Sequence, residues 1–372
     1  MLETVSASDR ELRTTPGSPS GSITGHGRVR LRDVAQRAGV STSTASRALS
    51  GSPRVSPAAR RAVLDASDRL GYRGDRIARA LRTRRTGTVG MLVPDIANPF
   101  FAELIESATR ELEAVGVDLL LADSHGSVEA EARWLVGLSE RRIDGLLVVP
   151  VHHHRSRPAL ERVAHGLPLV QLDREVDGVA ADFVGVDNDR GLAEIVAHLV
   201  DQNVARVAMV GGPESSSTGR GRSLAFERAV AGSPSLTVTV RESGDFSTAF
   251  GREAARRILC GRVPGARGSV PEAVVCGSDI IALGVLAELR RRRVAVPGEV
   301  LVTGFDGIMM AELTEPALTT VVQPCAAIAA EACRLLELRL GGDAGPVRHS
   351  LVAPRLAVRG STRRRRVAQE LV

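Results

Sequence analysis

The sequence predicts an α/β protein built as an N-terminal all-α headpiece followed by a two-lobed, doubly wound α/β domain. Three observations carry this. Near the start, apolar residues recur at helical spacing and are broken by a single Gly-Val-Ser. From Thr88 onward, short apolar runs alternate with amphipathic stretches, as in parallel sheets covered by helices. The polar residues of this second part gather just after the apolar runs, where open α/β sheets bind ligands.

The first stretch, LRDVAQRAGVSTSTASRALSGSPRVS (Leu31 to Ser56), justifies the headpiece over residues 28–73. Leu31, Val34, Ala35 and Ala38 share one helical face. Gly39 ends that helix, because glycine takes positive φ without steric cost, and Val40 is the apolar pin of the turn. Ser41 caps a second helix in which Ala45, Ala48 and Leu49 face inward and Thr42, Ser43, Ser46 and Arg47 face out. Ser56 and Pro57 start a third helix, expected to bury Val63, Leu64 and Leu70. A helix, a tight turn and a second helix with short polar outer residues fit a helix-turn-helix. Its second helix enters the major groove, where short donors and an arginine read base edges and phosphate. Periodicity alone also admits a small helical bundle with a solvated polar face.

Residues 74–86 read as a hinge helix or linker. Ile77, Ala78, Ala80 and Leu81 suit one short helix that Asp75 could cap, and Arg76, Arg79, Arg82, Arg84 and Arg85 make it strongly basic. So short a helix is marginal alone and would fold on a partner that supplies packing or phosphate charge.

The remainder runs strand, helix, strand: TVGMLVPDI, FFAELIESATRELEAVG, VDLLLADS, IDGLLVVP, LPLVQLDRE, DFVGVDN, GLAEIVAHLVDQ, RVAMVGGP, PEAVVCGSD, IIALGVLAELRRR, VLVTGFDG and TTVVQP. Candidate ligand residues at the strand ends are Asp95, Asp123, Asp173-Arg174, Asp187-Asn188, Asp279 and Asp306. For each aspartate, a loop or helix cap is the competing reading.

Composition bounds the rest. The chain has 372 residues, 43% hydrophobic and 25% charged, with a net charge of +6. It contains no lysine, so arginine supplies the positive charge and its location decides what it means. Cys260, Cys276, Cys325 and Cys333 lack metal or redox spacing and read as reduced thiols. Residues 1–27, rich in Ser, Thr, Gly and Pro, read as a disordered leader without signal-peptide order, and residues 361–372 as a basic disordered tail. No apolar run approaches the about 18 residues of a membrane span. A cytoplasmic protein with no membrane partner is expected.

LRDVAQRAGVSTSTASRALSGSPRVSPAARRAVLDASDRLGY resembles the headpiece of LacI/GalR-type bacterial transcription regulators. VGMLVPDIANPFFAEL, FVGVDNDRG, VTGFDG and PALTTVVQP resemble that family's core, which has the type I periplasmic-binding-protein fold. The resemblance spans about Val29 to Val358. It implies that Thr42 and Ser43 read bases and that Arg47 is a further DNA contact. It implies a hinge helix paired with a second copy in the minor groove, with Leu81 wedged at a base step, Ala78 facing the partner helix and Arg76 near phosphate. It places an effector- and dimer-forming domain at 87–360, one lobe from 87–187 and 321–345, the other from 189–318 and 350–360. Phe100, Phe101, Asp173, Arg174, Arg222, Phe246 and Asp306 map to its effector cleft. Aspartate and arginine bind vicinal hydroxyls while an aromatic face covers a sugar ring.

The chain departs from the pattern at Ala45, at Ser50, at Gly74-Asp75 and at Ser278-Asp279. The last change removes an amide from the cleft. The reading implied is a homodimeric, effector-controlled repressor of a near-palindromic DNA operator, its effector a sugar or sugar derivative. The alternatives are a purine-responsive co-repressed regulator and a solute-binding module. No enzyme, cofactor or metal is expected: His152-His153-His154 point in different directions and read as a solvated loop, and Gly211-Gly212-Pro213 lacks the dinucleotide glycine pattern.

Overall fold

The computed structural model describes residues 29–49, 52–72, 85–260 and 271–363. The chain divides into two compact units, Met1–Arg79 and Ala80–Val372.

The first unit holds α1 (Leu31–Arg37), α2 (Thr42–Leu49) and α3 (Pro57–Leu70). Gly39 turns the chain with φ +64°, and the Val40 N–H donates back to the Ala35 carbonyl at 3.0 Å. Ser41 Oγ accepts from the Thr44 N–H at 3.1 Å, and Ser56 Oγ from the Ala59 N–H at 3.3 Å, so each serine satisfies an otherwise unpaired helix-start donor. Val34, Ala35, Ala45, Ala48, Val55, Val63 and Ala66 form the core. Burying a valine such as Val63 contributes about 1.5–3 kcal/mol. Leu64, expected inside, is 44% exposed. It follows Val63 by one residue, about 100° around the helix, so the two cannot face the same small core.

In chain order the second unit begins β1 (Thr88–Val93), α4 (Pro99–Ala114), β2 (Asp118–Asp123), α5 (Val128–Glu140), β3 (Gly145–Val148), α6 (Arg157–Ala164), β4 (Leu169–Leu172) and β5 (Asp182–Val186). It continues α7 (Asn188–Asp201), β6 (Arg206–Gly211), α8 (Ser217–Ala231), β7 (Thr237–Ser243), α9 (Thr248–Ile258), β8 (Ala273–Cys276), α10 (Asp279–Arg291) and β9 (Leu301–Asp306). It closes with β10 (Thr319–Val322), α11 (Cys325–Leu340), β11 (His349–Val352) and β12 (Arg355–Ala357).

Two six-stranded sheets result, ordered β11-β5-β4-β3-β1-β2 and β12-β10-β9-β8-β6-β7. Both are parallel apart from β12, which runs antiparallel to β10. The central strands β3, β4, β8 and β9 are buried along their whole length; β3 and β8 read as continuous apolar runs, while β4 and β9 also bury Gln171, Thr303 and Asp306.

The chain passes between the lobes at Asp187, at Gln323-Pro324 and at Ala353-Pro354. Three expected boundaries move. Ser361 and Thr362, expected in the disordered tail, are buried, and Ser361 Oγ accepts from the Thr319 N–H at 2.8 Å and donates to the Val302 carbonyl at 2.6 Å, so the tail boundary lies beyond them. Two lobe boundaries shift with the crossings. Val321 and Val322 belong to the second sheet, not to the first lobe's 321–345, and Ser350 to Val352 belong to the first sheet, not to 350–360. Each ladder ends shortly before a proline, which has no N–H to extend it.

Candidate functional site

The outer face of α2 presents Thr42, Ser43 and Arg47, all exposed, with Ser46 half-buried beside them. Arg47 Nε donates to the Ser43 carbonyl at 3.1 Å, which lays the guanidinium along the face. Ser41 Oγ lies 2.9 Å from both Ser43 Oγ and Thr44 Oγ1, giving a compact run of hydroxyls at the helix start. Short donors on a projecting helix start are what a major-groove edge requires. The hinge candidates Arg76, Ala78 and Leu81, with Gly74-Asp75, lie outside the described residues, as do Ser50, the leader and most of the tail.

The effector candidates converge between the two lobes of the second unit. From the first lobe come Phe101 at the start of α4 and Asp173-Arg174 after β4; from the second come Arg222 on α8, Phe246 after β7 and Asp306 ending β9. The Arg174 guanidinium lies 5.6 Å from the Phe101 ring centre and 5.4 Å from that of Phe246, within cation–π range of both. Phe100 packs edge-on against Phe101 at 5.2 Å; both rings are buried in the same core, and Phe101 is the one that meets Arg174.

Arg222 is 2% exposed. Its Nη1 donates to Asp306 Oδ1 at 3.1 Å and to the Gly277 carbonyl at 2.7 Å, its Nε donates to Asn188 Oδ1 at 3.1 Å, and its face covers Phe305 at 3.9 Å. Gln323 Nε2 completes the Asp306 site with a 2.8 Å bond to the same Oδ1. Burial pushes the Asp173 carboxyl above its ordinary range, against the pull of Arg222 and Arg174. Burial also raises Asp306, again opposed by Arg222, and it lowers Arg174. Several buried polar atoms here have no protein partner: Asp173 Oδ1, Arg174 Nε, Gln323 Oε1 and, on α5, Glu131 Oε1. Such atoms are costly unless a ligand or water meets them.

The lobes touch at the rim. The His153 N–H donates to the Ser215 carbonyl at 3.0 Å, and its Nδ1 lies 2.8 Å from the same oxygen. The Glu175 N–H donates to Ser217 Oγ at 2.9 Å, and Thr218 Oγ1 donates to the Asp173 carbonyl at 3.2 Å. The histidine loop is thus more than solvated: its middle residue bridges the lobes. Among the described residues no group of three or more His, Cys, Asp or Glu could hold a metal. Gly212 serves packing, since a Cβ there would meet the Phe246 ring at 2.3 Å.

Other candidate aspartates resolve as structural. Asp123 accepts from the Ile96 and His125 N–H groups, and Asp187 caps α7 through the Arg190 N–H at 3.0 Å. Asp95 accepts from the Ala97 N–H at 2.9 Å. Asp279 is fully buried and holds the Gly307 and Ile308 N–H groups at 2.7 and 2.9 Å, which sets the turn that follows Asp306. Sequence reasoning missed Gln323, Thr218 and Glu131. Gln323 directly follows β10, so the strand-end rule could have found it. Away from this cluster, a groove of about 380 Å³ lined by Leu169, Asp182, Arg339 and Val347 lies at the opposite end of β4 and β5, where Arg339 already satisfies Asp182.

A helix-turn-helix unit joined to a two-lobed α/β unit with a polar-aromatic cluster between its lobes defines a class: DNA-binding transcription regulators with a ligand-binding core. Residues 30–75 match "Bacterial regulatory proteins, lacI family", and residues 196–362 match "Periplasmic binding protein-like domain". The chain is 33% identical to the HTH-type transcriptional regulator MalR of Streptomyces coelicolor, over 90% of this chain and 96% of that one. It is 30% identical to the HTH-type transcriptional repressor PurR of Photobacterium profundum, over 90% and 98%. A solved transcriptional regulator CelR–cellobiose complex superposes with a TM-score of 0.67 at 30% identity, covering 90% of this chain and all of that one. The chain belongs to the lacI family and is a DNA-binding transcriptional regulator. Among the described residues no helix is long and apolar enough to cross a membrane.

Proposed function

We propose that the protein is a cytoplasmic repressor that binds a near-palindromic operator as a homodimer and releases or gains it when a sugar or sugar derivative binds between the lobes. The observation that carries this is the inter-lobe cluster of Asp173, Arg174, Arg222, Phe246 and Asp306, with its unpartnered buried polar atoms. Both lobes contribute to it, so a ligand seated there favours one lobe arrangement over another, and only such differential binding shifts an equilibrium. A relative solved with cellobiose supports a sugar, while relatives named PurR keep a purine-responsive regulator as the second reading. In the proposed DNA complex, Thr42, Ser43 and Ser46 meet base edges, Arg47 meets guanine or phosphate, and the hinge residues Arg76, Ala78 and Leu81 meet the minor groove.

Fluorescence anisotropy of the full chain with duplexes from the DNA flanking its own gene tests the reading. Tight binding to one near-palindrome, changed at least 5-fold by a small molecule, is expected for a coupling of about 1–3 kcal/mol. A folded dimer that binds no such duplex refutes it.

A further inference from the structure

The histidine run His152-His153-His154 is a motif that the effector cleft does not use, and its geometry gives it a task of its own. The run lies in the turn after β3. The Glu131 carboxylate anchors the start of this turn by accepting the Val151 N–H at 2.6 Å. Ser156, fully buried, closes its far end: its Oγ accepts from the His152 N–H at 3.1 Å, and its own N–H donates to the His152 carbonyl at 3.2 Å. Between these ends the His152 ring acts as a cap, its Nδ1 accepting from the His154 and Arg155 N–H groups at 3.2 and 3.3 Å. The turn so folded carries His153 at its tip, where its backbone N–H and its Nδ1 meet the Ser215 carbonyl of the other lobe.

The two rings answer a proton differently. A carbonyl oxygen only accepts, so His153 Nδ1 carries a hydrogen, and a second proton on its Nε2 leaves that bond intact. His152 Nδ1 accepts two N–H groups and is bare; a proton there removes the acceptor and turns a positive charge toward both donors. Burial, and then the neighbouring His153, Arg155 and His154, hold His152 below its ordinary range. The other charged groups around the turn are Arg155, paired with Glu129 of α5 at 2.8 Å, Glu131, which burial raises and Arg174 opposes, and Glu214, next in sequence to the accepting Ser215. The turn with a bare His152 binds fewer protons than an opened turn whose histidine has the ordinary pKa of about 6.5. Its advantage is full above about that pH and shrinks as pH falls below it.

We propose that the histidine turn is a proton-sensitive latch between the lobes: with His152 neutral the turn holds His153 against Ser215, and protonation of His152 opens the turn and frees the lobes to separate. His152 is the sensor and His153 the catch. The latch stands whichever ligand the cleft takes. Where a ligand controls the operator by shifting the lobe arrangement, the latch makes that control depend on pH within the range in which histidine titrates.

Hydrogen–deuterium exchange of the full chain near about pH 7.5 and about pH 5.5, corrected for the intrinsic pH dependence of exchange, is the test. Two peptides report. One carries the His153 N–H; the other carries the Glu175 N–H, which donates to Ser217 Oγ at the second contact of the rim. Both should lose protection by about 5-fold or more in acid. His152→Asn keeps an acceptor for nearby N–H groups and does not titrate, so it should abolish the loss. Should that variant not fold, His152→Ser, which offers a hydroxyl acceptor, takes its place. His152→Ala should leave both peptides loosened at both pH values. Equal protection of the unaltered protein at the two pH values overturns the proposal. So does a pH dependence that survives in His152→Asn, which assigns it to Glu131 or to the pair of His349 with Glu175 at 2.9 Å. A loss confined to the first peptide also overturns it, because the turn then titrates without holding the lobes.

Discussion

Replacing Arg222 by methionine probes the centre of the cleft. Methionine keeps most of the aliphatic volume, so the change removes charge and donors more than packing. Asp306 loses its 3.1 Å partner, and the Gly277 carbonyl and Asn188 Oδ1 lose donors at 2.7 and 3.1 Å, all in a region where Arg222 is 2% exposed. Removing one member of a buried pair costs about 3–5 kcal/mol, because the other charge stays buried without compensation. Asp306 has one escape. Burial already raises its pKa and Arg222 holds it down, so without Arg222 it rises further and takes up a proton. A carboxyl whose folded pKa lies above its unfolded value binds protons on folding, so its contribution to stability improves as pH falls through the folded pKa. The R222M deficit should therefore be largest near pH 8 and smaller near pH 5.5. Urea unfolding of the full chain at both pH values, followed by far-UV circular dichroism, measures this. A deficit under about 1 kcal/mol, far below what a broken buried pair costs, or one equal at the two pH values, refutes the reasoning.

Arg47→Ala should weaken operator binding by about 10-fold or more while leaving thermal stability unchanged, because the residue is exposed. If its contact is a phosphate, the slope of log affinity against log salt falls by about 0.9; if a base, the slope holds and sequence preference relaxes. Arg339→Leu removes the two bonds, 2.8 and 2.7 Å, that hold the buried Asp182, and should cost about 3–5 kcal/mol by urea unfolding. Burial pushes Asp182 up, but Arg339 and the Arg348 N–H outweigh it and keep its carboxyl below the ordinary range. That stabilisation is present above the unfolded carboxylate pKa and is lost as pH falls through the folded one, so the cost of R339L should shrink in acid. Gly284→Ala puts a methyl 2.2 Å from the Thr248 carbonyl oxygen, forcing α9 and α10 apart, and should lower the melting temperature by several degrees, on the order of 1–3 kcal/mol.

The headpiece was largely legible because local chemistry specifies it. Gly39, Ser41 and Ser56 perform in the structure the turn and caps their types predict. Leu64 was misread because a leucine beside a buried valine looks apolar in sequence, while helix geometry sends it outward. In the second unit the strand-end rule pointed to Asp173, Arg174 and Asp306, which the structure brings together between the lobes, and equally to Asp95, Asp123 and Asp187, whose carboxylates serve their own loops and helix starts. A carboxylate at a strand end can cap locally or reach across, and only the fold decides which. Lobe boundaries slipped by a few residues because β10 and β11 are four-residue strands whose sheet partners lie more than a hundred residues away or across a crossover.

Gln323 carries the argument furthest. It sits on one of the three chain crossings between the lobes, its side chain holds Asp306, and its own N–H donates to the Asp306 carbonyl at 3.0 Å. A second crossing, at Asp187, is followed directly by Asn188, which accepts from Arg222. Two of the three connectors are therefore bonded to the residues proposed to hold the effector. In a protein whose lobes move by bending at their connectors, a ligand that pulls on Asp306 or Arg222 acts on the hinge itself, with no intervening relay. The effector's differential affinity for the lobe arrangements is then set where the chain bends, and that difference is all the free energy available to change operator affinity.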